Sequence, residues 1–343
     1  MSTALKKNRL RLIEEIEDTR KSRLIVCILG DRRNAETKIA SDILTPLSKH
    51  LTKMGKQNRI DLMLYSTGGI TMAGFALVNL IREFTDEFRI IIPSKALSCA
   101  TLIALGADSI FMTRLGLLSP IDPSVGTPFA PILQVPGAPK GNTRQVPISV
   151  EDVMGFLGLA EKSFDLKSEK SRLEVFKELT NKVHPIALGS VYRSRQQISF
   201  FGESLLSMHM DDENQIEKTV KILTEERFSH NYLMGRREAI ETLELNIEEA
   251  DLATEQLVMN LFNLYVQALL LNQPYHPESE LNEGDSVVAE LNRAIIETTG
   301  LTHVFRTRKE INRVEIKPPA IPQPTIGYQE RVLEEGWFQN EKI

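Results

Sequence analysis

Between residues 23 and 112, short apolar and β-branched runs alternate with stretches whose apolar residues recur at helical spacing. The runs at 24–29, 60–65, 89–92 and 109–112 predict strands; the stretches at 36–54, 72–84 and 98–106 predict helices. This alternation is the signature of βαβ units closing a parallel sheet with both faces covered. Charge interrupts the apolar positions of residues 1–22, which predicts an amphipathic N-terminal helix. After Leu117 the texture changes: Pro and Gly crowd 119–148 too densely for regular structure, so a long ordered loop or exposed arm is expected. Helical spacing resumes over 149–159, 174–181, 185–209, 213–224, 235–243 and 248–271. Past Gln273 the Pro-flanked PYHPESE linker leads to an expected helix at 287–299, a short strand at 303–307 and a Pro-rich tail. The expected organisation is an N-terminal helix (1–22), an α/β core (23–148), a helical part completing the fold (149–272) and a C-terminal extension (273–343).

Composition narrows the class without naming it. With 42% hydrophobic and 25% charged residues in 343, most of the chain has the means to bury a core and fold. A net charge of -5 argues against nonspecific attraction to nucleic acid or anionic membrane. No apolar stretch approaches the roughly 20 residues a membrane span requires, and no signal-peptide core forms at the N-terminus. Two cysteines, Cys27 and Cys99, exclude a disulfide framework. These features together predict a cytoplasmic protein. The absence of CxxC, HExxH or a tight carboxylate cluster leaves no metal site to expect, and STGGI lacks the glycine spacing of nicotinamide binding, so no cofactor is expected.

Two segments carry candidate chemistry. In IDLMLYSTGGI (60–70) an apolar strand ends in Ser-Thr-Gly-Gly just before a helix. The carboxyl ends of strands are where open α/β sheets place ligand crevices, and Gly68-Gly69 lets backbone N–H groups approach a ligand closely. In FRIIIPSKALSCATLIALGADSIFM (88–112) the next strand leads through a polar turn to Ser98 at the start of an Ala-rich helix. A lone serine there reads as an N-cap. Paired with a Gly-Gly turn on the neighbouring strand, it has the elements of an acyl-transfer site: a hydroxyl nucleophile beside preorganised donors.

STGG followed by KALSCATLIALGADSIFM resembles the Clp protease and signal peptide peptidase A superfamily, and is most similar to the soluble serine dehydrogenase proteinase family. The resemblance implies a Clp protease/crotonase-like spiral of βαβ units with a mainly helical second half. It covers 23–125 well and 183–193 and 228–239 more loosely. On the matching positions, Ser98 is the nucleophile, Gly69 and the Cys99 backbone N–H are the oxyanion donors, and Gly68 shapes the turn. The histidine that Clp proteases carry after the Ala-rich helix is replaced here by Asp122. A base must then come from elsewhere, because serine is a weak nucleophile at neutral pH. His230, in the polar hinge ERFSHNYLMGRRE, is the first candidate, with Asp122 as orienting acid. His184, at a helix start in VHPIALG, and Lys95, three residues before Ser98, are held in reserve; Asp122 also reads as an Asp-Pro turn.

The expected activity is peptide-bond hydrolysis through an acyl-enzyme on Ser98, with a peptide or protein substrate and a homo-oligomeric assembly. Two alternatives stay open: a crotonase-type acyl-CoA enzyme or thioesterase, which needs the oxyanion donors but no serine, and a catalytically silent oligomeric scaffold with Ser98 as a cap.

Overall fold

A computed structural model describes residues 2–121, 124–125, 127–134, 143–146, 148–226, 231–249, 251–281, 284–316 and 325–339. In chain order, α1 (Ser2–Arg20) leads into β1 (Arg23–Leu29), α2 (Leu44–Met54), β2 (Gln57–Tyr65), α3 (Thr71–Arg82) and β3 (Thr85–Ile92). There follow β4 (Lys95–Ala96), α4 (Cys99–Leu105), β5 (Ser109–Met112) and β6 (Leu117–Leu118). A second unit, Ser119–Leu233, contains β7 (Ser124–Val125), β8 (Ile132–Gln134), β9 (Thr143–Gln145) and β10 (Ile148–Ser149). Its helices are α5 (Val150–Gly158), α6 (Glu169–Lys182), α7 (Pro185–Leu206) and α8 (Glu213–Lys221). The chain then returns to the first unit with β11 (Met234–Gly235), α9 (Arg236–Glu241), α10 (Leu252–Ala268), α11 (Pro277–Glu280), β12 (Ser286–Thr298), β13 (Leu301–Ile316) and β14 (Thr325–Gln339).

The first unit, 1–118 with 234–343, is built on a seven-stranded sheet in the order β14-β13-β12-β1-β2-β3-β5. From β1 to β5 every pair is parallel; from β1 outward to β14 every pair is antiparallel. The parallel strands are buried on both faces, which is why they read as unbroken apolar runs such as LIVCIL. One face packs Leu12, Ile13 and Ile16 of α1 and Val258, Leu261 and Tyr265 of α10 against Val26, Met63 and Ile91. α3 and α4 pack on each other through Gly74, where an added Cβ would lie 2.5 Å from the Cys99 Sγ.

Two expectations are corrected. The helix expected over 36–54 begins only at a short 3-10 turn, Ser41–Ile43, because Thr37 and Ile39 are drawn into extended pairing with Gly30 and with the Gly68–Ile70 segment. The segment at 287–299 is not a helix but belongs to β12, which joins β1 through four residue pairs and β13 through twelve. Its β-branched Val287, Val288, Ile295, Ile296 and Thr298 suit a strand, and pairing on both sides fixes it as one.

Within the second unit, Ile148, Val150 and Val153 pack with Ala187 and Val191 into a small core. Ser168 and Asp212 cap α6 and α8, accepting backbone N–H bonds in the first turn.

Candidate active site

The site begins at the tip of β2. Ser66 is fully buried and pairs in parallel with Ala96: its N–H donates to the Lys95 carbonyl at 3.0 Å and its carbonyl accepts from Leu97 N–H at 3.0 Å. Its hydroxyl turns forward and accepts the Gly68 N–H at 3.0 Å. One residue thus ties the Gly-Gly turn to the segment that carries Ser98.

Gly68 has φ +102°, and a Cβ there would stand 2.8 Å from the Leu97 carbonyl oxygen, 2.8 Å from Ser98 Cβ and 3.2 Å from Ser98 Oγ. The two sequence-predicted positions are in direct contact, and only glycine permits it. Gly69 is flanked by Ile39, whose N–H donates to the Gly68 carbonyl and whose carbonyl accepts from Ile70 N–H. In that parallel pairing the N–H of Gly69 itself faces away from Ile39, and among the described residues it donates no hydrogen bond.

Ser98 precedes α4 with φ 52° and ψ -117°, a backbone conformation that is strained for a residue with a side chain. It occupies the N-cap position, yet its hydroxyl makes no capping hydrogen bond. The simple cap reading therefore does not account for it. Sharp strand-to-helix turns of this kind expose a serine hydroxyl in hydrolases, and small residues two positions to either side make the turn possible. Here those residues are Ala96 and Ala100, both fully buried. The Thr101 hydroxyl donates to the Ala96 carbonyl at 2.7 Å and holds the turn from within the helix.

Cys99 opens α4, so its N–H has no intrahelical partner. Its thiol is buried, donates to the Ile70 carbonyl at 3.2 Å, and is pushed up to about 12 by burial. A thiol so protonated is inert, so Cys99 offers the turn its backbone N–H and not a reactive side chain.

The remaining predicted residues divide. Lys95 projects to the opposite side of β4 from Ala96, and its Nζ donates to Asp31 Oδ2 at 2.7 Å. His184 caps α7: its Nδ1 accepts the Ile186 N–H at 3.2 Å, and its ring stacks on Phe129 with centroids 4.6 Å apart. Asp122 and His230 lie outside the described residues. Sequence reasoning did not single out Ser66, Thr101 or Asp31. The spacing Ala96-x-Ser98-x-Ala100 was the available signal for the turn.

The neighbouring tips of parallel strands in the sheet thus carry a Gly-Gly turn and a strained serine. The family described as ClpP-like SDH-type serine proteinases matches residues 1–153, which is the part of the chain that contains both tips. Two uncharacterized proteins of Methanocaldococcus jannaschii are similar to it. MJ0137 is 27% identical over 212 residues, 62% of this chain and 60% of that protein. MJ1495 is 32% identical over 139 residues, 37% of this chain and 46% of that protein. The chain thus spans about half the length of the curated relatives it matches. Among solved structures, a variant of the 1510-N membrane-bound stomatin-specific protease is 14% identical with a TM-score of 0.36, covering 63% of this chain and 77% of that one. A ClpP1 variant from Listeria monocytogenes is 13% identical with a TM-score of 0.37, covering 71% and 99%.

Among the described residues, no cluster of His, Cys, Asp or Glu could hold a metal ion, and no helix is long and apolar enough to cross a membrane.

Proposed function

We propose that the chain is a cytoplasmic serine peptidase that cleaves peptide bonds through an acyl-enzyme on Ser98. The observation that carries this reading is the strained backbone of Ser98, held directly against Gly68. The attacking hydroxyl yields its proton to a base as the Oγ–carbonyl bond forms, and the Gly69 and Cys99 N–H groups stabilise the oxyanion. His230 is our candidate for that base and Asp122 for its orienting acid. Lys95 is a poorer choice, since Asp31 already engages its ammonium.

The substrate backbone lies along the side of Gly69 that Ile39 leaves open, where strand addition positions a carbonyl without demanding sequence. Ile70 and Met72, exposed at 54% and 56%, offer apolar surface beside that path. A crotonase-type acyl-CoA enzyme would use the same donors but has no need of a strained serine. A silent scaffold would have no use for the strain either. We also propose that the working form is a homo-oligomer of this chain.

A fluorophosphonate probe tests the mechanism directly. Covalent labelling of Ser98, absent in Ser98→Ala and slowed in His230→Ala, is the expected result. Acyl-CoA binding without any labelling would move the crotonase reading ahead, and neither labelling nor binding would favour the scaffold.

A further inference from the structure

A second polar cluster sits at the same end of the sheet, apart from the serine turn. Asp31 follows β1, Tyr65 ends β2, Ser94 follows β3 and Lys95 opens β4, so all four meet at the carboxyl tips of the parallel strands. They line a cleft of about 360 Å³ whose apolar wall comes from Phe262 and Val266 of α10 and from Leu271 just beyond it. Carboxyl tips of parallel strands are the usual place for a ligand crevice. An apolar wall with a few convergent polar groups is the usual make-up of a binding pocket.

The charges in this cleft do not cancel. Asp31 Oδ1 accepts the Tyr65 hydroxyl at 2.7 Å, and Oδ2 accepts Lys95 Nζ at 2.7 Å, so the carboxylate is answered from inside the protein. An ammonium group has three protons to donate, and Asp31 engages one of Lys95's. Arg33 is the third charged residue of the lining; it is exposed, and among the described residues its guanidinium makes no ion pair. One positive charge is left over above an apolar wall.

We propose that this cleft binds the free α-carboxylate of a peptide whose last residue is apolar. The carboxylate meets the planar fork of Arg33 and the remaining protons of Lys95, a charge-assisted pairing for which guanidinium is well shaped. The last side chain lies on Phe262, Val266 and Leu271. A fatty acid shares the carboxylate and the apolar chain, but the Ser94 hydroxyl and Asn272 amide that also line the cleft give a peptide's backbone amides partners that an alkyl chain cannot use. Lys95 is three residues from Ser98, so their Cα atoms are at most about 11 Å apart. A chain end held in the cleft is therefore held near the serine turn. The proposal concerns binding alone and stands whether or not Ser98 proves to be a nucleophile.

Titration calorimetry on the full-length Ser98→Ala protein tests it without turnover, using N-acetyl-Ala-Ala-Leu as the free acid, its C-terminal amide, and decanoate. The acid is expected to bind saturably, and the amide and decanoate about tenfold or more weakly. Arg33→Ala should weaken the acid by about the same factor and leave the amide unchanged, with no shift in unfolding midpoint because the exposed guanidinium holds nothing together. Lys95→Met should weaken the acid as well. Equal binding of acid and amide, decanoate binding tighter than the acid, unchanged affinity in Arg33→Ala, or no saturable binding of the acid would each overturn the proposal. Labelling of Ser98 by fluorophosphonate reports separately on the peptidase reading.

Discussion

Ser98 holds a conformation that costs about 1–3 kcal/mol for a residue with a Cβ, and such strain persists only where the surroundings over-determine it. Three neighbours do so here: Gly68 fills the space beside it, Thr101 holds the Ala96 carbonyl, and Ser66 joins both loops. Gly68→Ala should therefore do double damage. The new Cβ meets the Leu97 carbonyl oxygen and Ser98 Cβ at 2.8 Å, while φ +102° strains the backbone by about 1–3 kcal/mol before any clash is relieved. Urea unfolding should show the lower midpoint, and probe labelling of Ser98 should disappear. Ser66→Ala is subtler, because it adds no clash and removes the acceptor of the buried Gly68 N–H, at about 1–3 kcal/mol, together with a long hydrogen bond to the Gly68 carbonyl. On the peptidase reading it lets the donor turn drift, and a misplacement near 1 Å costs up to about 100-fold in rate. The fall should appear in kcat with KM little changed, and Ser66→Thr, which keeps the hydroxyl, should restore much of it. A loss confined to stability, with kcat intact, would reduce Ser66 to a structural role.

Elements whose form follows from their own pattern were legible, and those whose form follows from a partner were not. The runs at 24–29, 60–65 and 109–112 sit inside or coincide with β1, β2 and β5, because strands buried on both faces must be apolar throughout. β12 was misread because Ala289, Glu290, Leu291 and Ala294 favour a helix over their short stretch; the β-branched residues around them, and the alternation of buried Ala289 and Leu291 with more exposed neighbours, were the overlooked signs. β14, beyond the Pro-rich stretch, had no apolar run to announce it. It closes the sheet as an edge strand blunted by a bulge, since Lys309 pairs with Val332 and Arg308 with Glu334, leaving Leu333 over. The same antiparallel extension is tied to α2 by a buried histidine pair. His303 Nδ1 and His50 Nε2 are 3.0 Å apart, and His50 Nδ1 lies 3.0 Å from Thr298 Oγ1. Burial, then His303 and Lys53, pushes His50 down to about 3; burial, then Lys49, lowers His303. His50 is therefore neutral in the folded protein through mildly acid pH, while in the unfolded chain it takes a proton below about 6.5, and His303 is shifted in the same direction. Stability is thus undiminished by His50 above about pH 6.5 and is lost as pH falls from there toward 3, by up to about 1.4 kcal/mol per pH unit, and His303 adds a loss of the same sign. Thermal midpoints measured from pH 7 to pH 4 should fall, and the slope should be shallower in a His50→Asn, His303→Asn double variant. An unaltered slope would assign the acid lability to carboxylates such as Glu248, whose ionised form is held by Arg20 and Ser109.

At the scale of the whole molecule, the two halves of the predicted site were not equally legible. Ser98, Gly68, Gly69 and Cys99 occupy two short motifs on adjacent parallel strands, so sequence order and spatial order coincide. The residues proposed as base and orienting acid, His230 and Asp122, belong to Ser119–Leu233, a separate compact unit, and a sequence holds no measure of how far a distant loop lies from a strand tip. That unit also bears on assembly. Its helix α6 has no buried residue, and Leu173 and Phe176, three positions apart on one face, are exposed at 51% and 54%. A 14-residue helix gains little from its own propensity and is normally held by packing on its apolar face. Phe164, Tyr192 and Phe200 are further exposed apolar residues of the same unit. With the β14 edge blunted, this surface is the better candidate for contact between copies of the chain. Sedimentation velocity should then find an assembly larger than one chain, and Leu173→Glu with Phe176→Glu should reduce it to smaller species without lowering the unfolding midpoint of the isolated chain. A wild-type protein that sediments as a single chain at every concentration would remove the homo-oligomer from the reading. An assembly indifferent to both glutamates would place the contact elsewhere.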